Sequence, residues 1–98
     1  MVKIMTTSTS PPNKGDELFK AYISSSKPKY PDFVKKIHNW GVLGPNNRTI
    51  AIYEVDDDKV YEGILAIAEH YKIYTVVEGY KYDVEVLIEE KDAVKLFK

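Results

Sequence analysis

The sequence contains no cysteine among its 98 residues. Disulfide bonds, thiolate metal sites and cysteine nucleophiles are therefore excluded, and the absence is typical of intracellular proteins. Met1 to Met5 are followed at once by the polar run Thr6 to Ser10, which is unlike a signal peptide. No apolar run approaches the roughly 20 residues that span a bilayer. We expect a cytoplasmic protein with no membrane partner.

Arginine is scarce as well, because 13 of the 14 basic residues are lysine. The abundance of lysine, glutamate and tyrosine is typical of thermophilic sources, and an AT-rich genome would also favour lysine. Residues 27–36 combine four lysines with Tyr30 and Phe33, a mixture that nucleic-acid binders use. The sequence has one arginine and a net charge of −1, so it has few guanidinium groups for bidentate recognition of phosphates or bases. We therefore expect four solvated loop lysines and no nucleic-acid partner, and weak nucleic-acid binding through residues 27–36 is the third hypothesis for the function.

The sequence also lacks a glycine-rich phosphate-binding loop and any cluster with metal-ligand spacing. Asp56 to Asp58 would attract a hard cation through their carboxylates. They lack the other spaced ligands of an EF-hand loop, and capping of the following helix accounts for them. His38 and His70 make no metal site without further ligands. We predict no metal and no cofactor.

What the sequence does contain is a clear order of elements, strand–helix–strand–strand–helix–strand, within one domain of residues 1–98. The predicted strands are 2–9, about 34–43, 48–55, an extended piece at 73–77, and an alternating piece that begins at Tyr80. A helix is predicted after Asn13, with an apolar stripe of Leu18, Phe19, Tyr22 and Ile23. A second helix is predicted after Asp58, and its apolar face consists of Val60, Ile64, Ile67, Ala68 and Tyr71. A short terminal helix is predicted over 91–97, with Val94 and Phe97 available to dock. The turn residues Gly44 to Asn47 predict an antiparallel pairing of the second and third strands. Gly79 marks either a bulge or a turn, and periodicity leaves both open.

The third strand is apolar on both faces, since Ile50, Ala51, Ile52 and Tyr53 are consecutive. Both faces of such a strand are usually covered. In a lone two-layer domain one face of the sheet would be wet, so this strand predicts a partner subunit or a ligand.

An order of βαββαβ with an antiparallel central pair is the ferredoxin-like plan, with two helices on one face of a four-stranded antiparallel sheet. At this level the chain resembles the dimeric α+β barrel superfamily of small proteins, in which two sheets pair face to face. The resemblance implies a homodimer. Members of this superfamily include cofactor-independent monooxygenases, muconolactone-isomerase-like enzymes and ligand-sensing domains. The resemblance assigns no catalytic residue in this sequence.

The candidate site residues are one histidine and four aromatic residues. His38 and Trp40 lie two apart on a strand, so a histidine beside an aromatic ring could act as a general base over a flat substrate. A packed histidine beside an interface tryptophan explains the pair equally well. Tyr53, Tyr80 and Tyr82 fall on strands and could line a pocket for a ligand, or an interface.

We therefore expect a non-catalytic homodimeric binding or assembly module with a cavity for a small apolar or aromatic molecule. The alternative is a cofactor-independent enzyme of the monooxygenase or isomerase type, with His38 as its acid and base. The face of the sheet that His38 occupies is left open by the sequence.

Overall fold

The computed structural model describes residues 1–24 and 29–96. The strands are β1 (Val2–Ser10), β2 (Val34–Val42), β3 (Asn47–Val55) and β4 (Lys81–Leu87). The helices are α1 (Gly15–Ser24), α2 (Val60–Lys72) and α3 (Glu90–Lys95). Short 3-10 segments occupy Pro12–Lys14, Asp57–Lys59 and Ile73–Val76.

The four strands form one antiparallel sheet in the order β2-β3-β1-β4. β1 pairs with β3 on one side and with β4 on the other, so Ile4 lies opposite both Tyr53 and Val86. The predicted α+β class with a four-stranded antiparallel sheet is confirmed. The register also fixes the faces, because side chains of directly paired residues point to the same side of a sheet.

A bulge interrupts β2 at Ile37. Lys36 pairs with Tyr53 and His38 pairs with the adjacent residue Ile52, so Ile37 is an extra residue in the ladder. Strict alternation would place Lys36, His38 and Trp40 on one face. The bulge separates them, because Lys36 shares the face of Tyr53 whereas His38 and Trp40 share the face of Ile52 and Ile50.

The core lies between α2 and one face of the sheet, which we call the inner face. The fully buried side chains there include Ile4, Tyr53, Val55 and Ile67. Gly63 allows α2 to approach β3 closely, because a Cβ atom at that position would lie 2.5 Å from Cγ1 of Val55. The predicted apolar face of this helix is confirmed, with Ile64 and Tyr71 packed against the core.

The first helix departs from the predicted plan. α1 packs mainly against the 3-10 segments at 73–76 and 12–14 rather than on the sheet, and Ala21 is its one buried residue. Phe19, Tyr22 and Ile23 of its apolar stripe are more than half exposed. The helix arrangement therefore matches a plan with two helices packed on one sheet face only in part.

The extended segment predicted at 73–77 is wrong, since Ile73–Val76 is a 3-10 segment that continues from α2. β-branched residues favour strands through packing on a sheet, and this segment is not one of the four strands in the sheet β2-β3-β1-β4. Gly79 follows with φ of +85° in a turn that the Tyr80 N–H closes onto the Val77 carbonyl at 3.1 Å. Gly79 thus belongs to a turn that leads into β4, and a Cβ there would clash with Pro11.

The C-terminal helix α3 ends at Lys95, and Val94, which was expected to dock, is 50% exposed. Phe97 lies outside the described residues. Within residues 1–24 and 29–96, each helix falls short of the length and hydropathy that a bilayer span requires.

Candidate functional site

A chain of hydroxyl groups crosses the inner face beneath α2. The hydroxyl of Tyr53 on β3 lies 3.0 Å from that of Tyr30 and 2.8 Å from that of Tyr71 on α2. The Tyr71 hydroxyl in turn lies 2.9 Å from Thr6 Oγ1 on β1. Each buried phenol therefore satisfies its polar atom with another side chain, as buried hydroxyls require.

Burial of these phenols opposes their ionisation. Desolvation raises the pKa of Tyr30 to about 12, although the hydrogen bond with Tyr53 acts in the opposite direction. Desolvation also raises the pKa of Tyr53 far above its ordinary value, and its hydrogen bonds with Tyr30 and Tyr71 add to that shift. The phenols of Tyr30 and Tyr53 therefore stay protonated at neutral pH.

A cleft of about 630 Å³ opens beside this chain, between α1 and the inner face. Its apolar wall comes from α1 and from the tip of the β2–β3 hairpin, with Leu18, Phe19, Tyr22, Val42 and Leu43 among the lining residues. Its floor is the end of β1, where Ser8 and Ser10 replace the apolar residues found earlier on the same face. The separation of α1 from the sheet creates this space.

Two floor hydroxyls differ in how they are satisfied. Ser8 Oγ lies 2.6 Å from Thr49 Oγ1 on β3. Ser10 is 3% exposed, and its Oγ has no hydrogen-bond partner within the described parts of the chain. A buried hydroxyl without a partner is costly, so Ser10 leaves an open hydrogen-bonding position in the floor.

The charge of the cleft lining is one-sided. Lys36 and Arg48 are among the described residues that line the cleft, and none of those residues is aspartate or glutamate. This contrasts with the whole sequence, which has 15 acidic and 14 basic residues. The register places Lys36 on the inner face, whereas Arg48 pairs with Thr9 and Val42 on the other face. Lys36 is therefore the cation directed toward the cleft, and no carboxylate in the described lining offsets its charge.

Lys36 is held against aromatic rings rather than carboxylates. Its Nζ lies 5.9 Å from the ring centre of Tyr30 and 5.7 Å from that of Tyr53, within reach of a cation–π attraction. No carboxylate among residues 1–24 and 29–96 lies within 4.0 Å of this amine. Lys36 remains accessible to solvent, and partial burial lowers the pKa of its ammonium group.

Further aromatic rings extend the cleft toward β4. Tyr80 lines it, with its ring centre 5.5 Å from that of Tyr74 and 6.1 Å from that of Tyr82. Tyr82 stacks on Tyr71 at 5.9 Å and lies behind this wall. Desolvation raises the pKa of Tyr80, so its phenol is neutral at ordinary pH. His70 of α2 also lines the cleft and stacks on Tyr30 at 4.2 Å.

His38 and Trp40 lie on the opposite side of the sheet, which we call the outer face. Their rings stack at 4.8 Å with an interplanar angle of 11°, and Trp40 is 51% exposed. The five candidate residues from the sequence therefore divide between the two faces of the sheet. Tyr53 and Tyr82 lie in the inner layer, Tyr80 lines the cleft, and the other two lie on the outer face.

Sequence reasoning missed Lys36, Ser10 and His70 as cleft residues. The bulge at Ile37 puts Lys36 on the inner face, apart from His38 and Trp40, and strict alternation does not predict this. A usable pattern was present for the second, because the inner residues of β1 change from Ile4 to Thr6, Ser8 and Ser10 along one face. A covered strand face that turns polar along its length indicates a polar cavity at that end.

The aspartates before α2 have a different role from the predicted cap. No side-chain cap hydrogen bond forms at Asp56, and Asp57 instead pairs with the N-terminal ammonium group at 3.2 Å. Within the described ranges, His, Asp and Glu side chains form no group of three that could hold a metal ion.

Comparison with known proteins gives no relative from which a role can be transferred. No protein-family model matches the sequence. Neither the curated proteins nor the solved structures include a significant match. The function of the chain must therefore be argued from the geometry of its own residues.

Proposed function

We propose that this chain is a non-catalytic binding module that acts as a homodimer and holds a small apolar or aromatic molecule. The observation that carries the proposal is the cleft of about 630 Å³ between α1 and the inner face. Ligand pockets are typically about 300 to 1,000 Å³ and combine apolar walls with a few placed polar groups. Phe19 and Tyr22 supply such a wall here, and Ser10 and Lys36 supply polar groups.

The architecture supports a ferredoxin-like plan for the module. The element order and the strand order β2-β3-β1-β4 agree with that plan, and the position of α1 is the departure from it. On this basis the chain resembles the dimeric α+β barrel superfamily, in which sheets pack face to face. A fold does not by itself assign an activity, so the cleft and the outer face carry the functional argument.

The outer face supports the dimer through its apolar centre. The pairing of the strands brings Trp40 beside Ile50 and brings Ile52 beside Met5. Trp40 is half exposed in the single chain. Aromatic and aliphatic side chains at the centre of a patch, with charges at its edge, are typical of a protein interface.

The edges of the outer face are complementary in charge. Asp83 and Glu85 lie on this face of β4 at one edge of the sheet, with Lys81 beside them, and Lys35 lies on it in β2 at the other edge. A twofold axis parallel to the strands places β2 of one copy across from β4 of the other. That arrangement sets each basic edge against an acidic edge, and it repeats itself in both copies as a twofold interface must.

The enzyme alternative concerns the outer face. His38 stacks on Trp40 and remains exposed there, so a cavity between two paired sheets would contain an imidazole next to a flat ring. Such a cavity suits a cofactor-independent monooxygenase or isomerase with His38 as acid and base. His38→Ala separates the proposals, because the binding module keeps its ligand affinity in this variant whereas the enzyme loses turnover with its fold intact.

Native mass spectrometry of the purified protein tests the proposal directly. We expect a dimer that carries additional mass from a co-purified small molecule, or that gains such mass after incubation with 8-anilinonaphthalene-1-sulfonate. Denaturation in acid should release the molecule, since the cleft exists only in the fold. A bare monomer that takes up no probe at ten times the protein concentration would contradict both parts of the proposal.

A further inference from the structure

We propose that the cleft selects amphipathic anions, with the acidic group of the ligand at Lys36 and its apolar body against α1. This inference deepens the proposed binding function and rests on it. It names the class of molecule, a planar or apolar body that carries one carboxylate, sulfonate or phosphate group.

Acidic residues are distributed unevenly between the cleft lining and the rest of the sequence. Acidic residues make up 15 of the 98 residues, and none of the described cleft residues is one of them. Lys36 lines the space from the inner face, whereas Arg48 touches its edge from a position that the register puts on the outer face. A concave surface with low-dielectric walls and charges of one sign concentrates ligands of the opposite sign.

The surroundings of Lys36 favour an anionic ligand. Tyrosine rings surround its amine at 5.7 and 5.9 Å, and no carboxylate in the described residues forms an ion pair with it. By contrast, Lys3 and Lys14 each lie within ion-pair distance of a glutamate. A cation at the edge of an aromatic cluster without a carboxylate gains more from an anionic ligand than a surface lysine that is already paired.

Hydrogen-bond donors also line the cleft. Ser10 has a buried hydroxyl that no described group satisfies, and Tyr80 has a phenol that stays protonated because burial raises its pKa. Asn39 adds an amide to the lining. Asn39 pairs with Ala51, two residues along β3 from the Tyr53 that Lys36 pairs with, so its amide can donate to an acidic group at Lys36. Ser10 pairs with Asn47 at the far end of β1, so its hydroxyl is available to the rest of the ligand.

The remaining wall fits the apolar part of such a ligand. Leu18, Phe19 and Tyr22 face the cleft from α1, and Phe19 is 64% exposed in the empty space. Covering these side chains removes apolar area from water, which stabilises the complex by about 25 cal/mol for each Å². An amphipathic anion satisfies both sides of the cleft at once.

Two probes with the same ring system test the inference. 8-Anilinonaphthalene-1-sulfonate carries a sulfonate, whereas N-phenyl-1-naphthylamine is neutral. We expect the protein to bind the sulfonate at least about tenfold more tightly at low salt, a difference of about 1.4 kcal/mol. The preference should narrow as salt screens the partly exposed amine. Fluorescence titration measures both affinities.

Lys36→Met should remove the preference and leave the affinity for the neutral probe within about twofold, whereas Lys36→Arg should keep the preference. Lys35→Met is the matched control, because Lys35 is the adjacent residue and lies on the outer face. It should change neither affinity. Circular dichroism and the urea midpoint establish that each variant is folded.

The failures are distinguishable. Equal affinity of the two probes for the wild-type protein would overturn the anion preference and leave the binding module standing. A loss of sulfonate binding in Lys35→Met but not in Lys36→Met would place the probe on the outer face and overturn the inference. Failure of both probes to bind would overturn the inference together with the proposed function.

Discussion

Tyr53 shows what one side chain does for this molecule. It is 0% exposed and belongs to the core, yet its hydroxyl joins the hydroxyls of Tyr30 and Tyr71. Removing the Tyr53 hydroxyl takes one hydrogen bond from Tyr30 and one from Tyr71, although Tyr71 keeps its bond with Thr6 Oγ1. A buried group left without a partner costs about 1 to 3 kcal/mol. The phenol thus couples the loop before β2 to α2 through β3.

Tyr53→Phe should lower the free energy of unfolding by about 1 to 2 kcal/mol near neutral pH, because two hydrogen bonds are lost while the packing stays nearly the same. Urea denaturation followed by circular dichroism measures the change. Tyr61→Phe, at a tyrosine that is 65% exposed, is the matched control and should fall within about 0.5 kcal/mol of wild type.

The same variant should alter the alkaline stability. A phenol whose pKa is higher in the fold than in the unfolded chain binds its proton longer in the fold. Its contribution to stability is complete below pH of about 10, the ordinary tyrosine pKa, and is lost as pH rises toward the folded pKa, about 12 for Tyr30. Wild-type stability should fall across this window, and Tyr53→Phe should fall less steeply. Equal slopes would contradict the coupling.

At the residue scale, sequence reasoning succeeds where periodicity is uninterrupted. Tyr82 and Val84 alternate as predicted and share the inner face. It fails at Lys36, because a bulge at Ile37 changes the phase of β2 without any glycine or proline to mark it. Bulges are set by tertiary pairing, which the local sequence does not encode.

Gly63 of α2 lies in close contact with Val55 of β3. Cγ1, Cγ2 and Cβ of Val55 lie 2.5, 3.0 and 3.3 Å from the position that a Cβ at Gly63 would take. Val55 is fully buried, so it has little room to move. The spacing between helix and sheet is therefore set by this pair.

Gly63→Ala should destabilise the protein by about 1 to 3 kcal/mol through overpacking, although alanine favours a helix by about 1 kcal/mol over glycine. The double variant with Val55→Ala should recover part of the lost stability, since removal of the two γ-methyl groups of Val55 makes room for the new Cβ. A double-mutant cycle from urea unfolding measures the coupling. A Gly63→Ala protein more stable than wild type would show that α2 does not approach this closely.

At the scale of elements, the apolar patterns located α2 and all four strands, but not the place of α1. The stripe of Leu18, Phe19 and Tyr22 predicts a helix packed on a sheet, whereas α1 packs on the segment at 73–76 and leaves the cleft open. A hydrophobic stripe specifies that a face is apolar and not what covers it. The apolar pattern of α1 therefore did not predict the cleft.

The whole molecule has two chemically distinct faces on one sheet. The inner face carries the phenols and the cleft that Lys36 lines, and the outer face carries an apolar centre between β2 with Lys35 and β4 with Asp83 and Glu85. The element order predicted the sheet, and the both-faced apolarity of β3 predicted that the outer face needs a cover. Which side each function occupies depended on the register, which is a property of the assembled sheet.

Trp40→Lys should convert the proposed dimer to a monomer, because it places a charge at the apolar centre of the outer face. Truncation of a hot-spot residue, a class in which tryptophan is enriched, costs about 2 kcal/mol or more, so the dissociation constant should rise about 30-fold or more. Sedimentation velocity across a dilution series measures it. Tyr61→Lys, on the exposed side of α2, should leave the dimer intact. A wild-type protein that stays monomeric at high concentration would contradict the proposed pairing.

The placement of Trp40 has a spectroscopic consequence. It is the one tryptophan in the sequence, and its indole lies on the outer face, while Tyr30, Tyr53 and Tyr71 absorb from the inner layer. Indole emission therefore reports burial of the outer face, and the ultraviolet spectrum of the phenols reports changes beside the cleft. A single unlabelled sample thus carries two separate optical reporters, one for each side of the sheet.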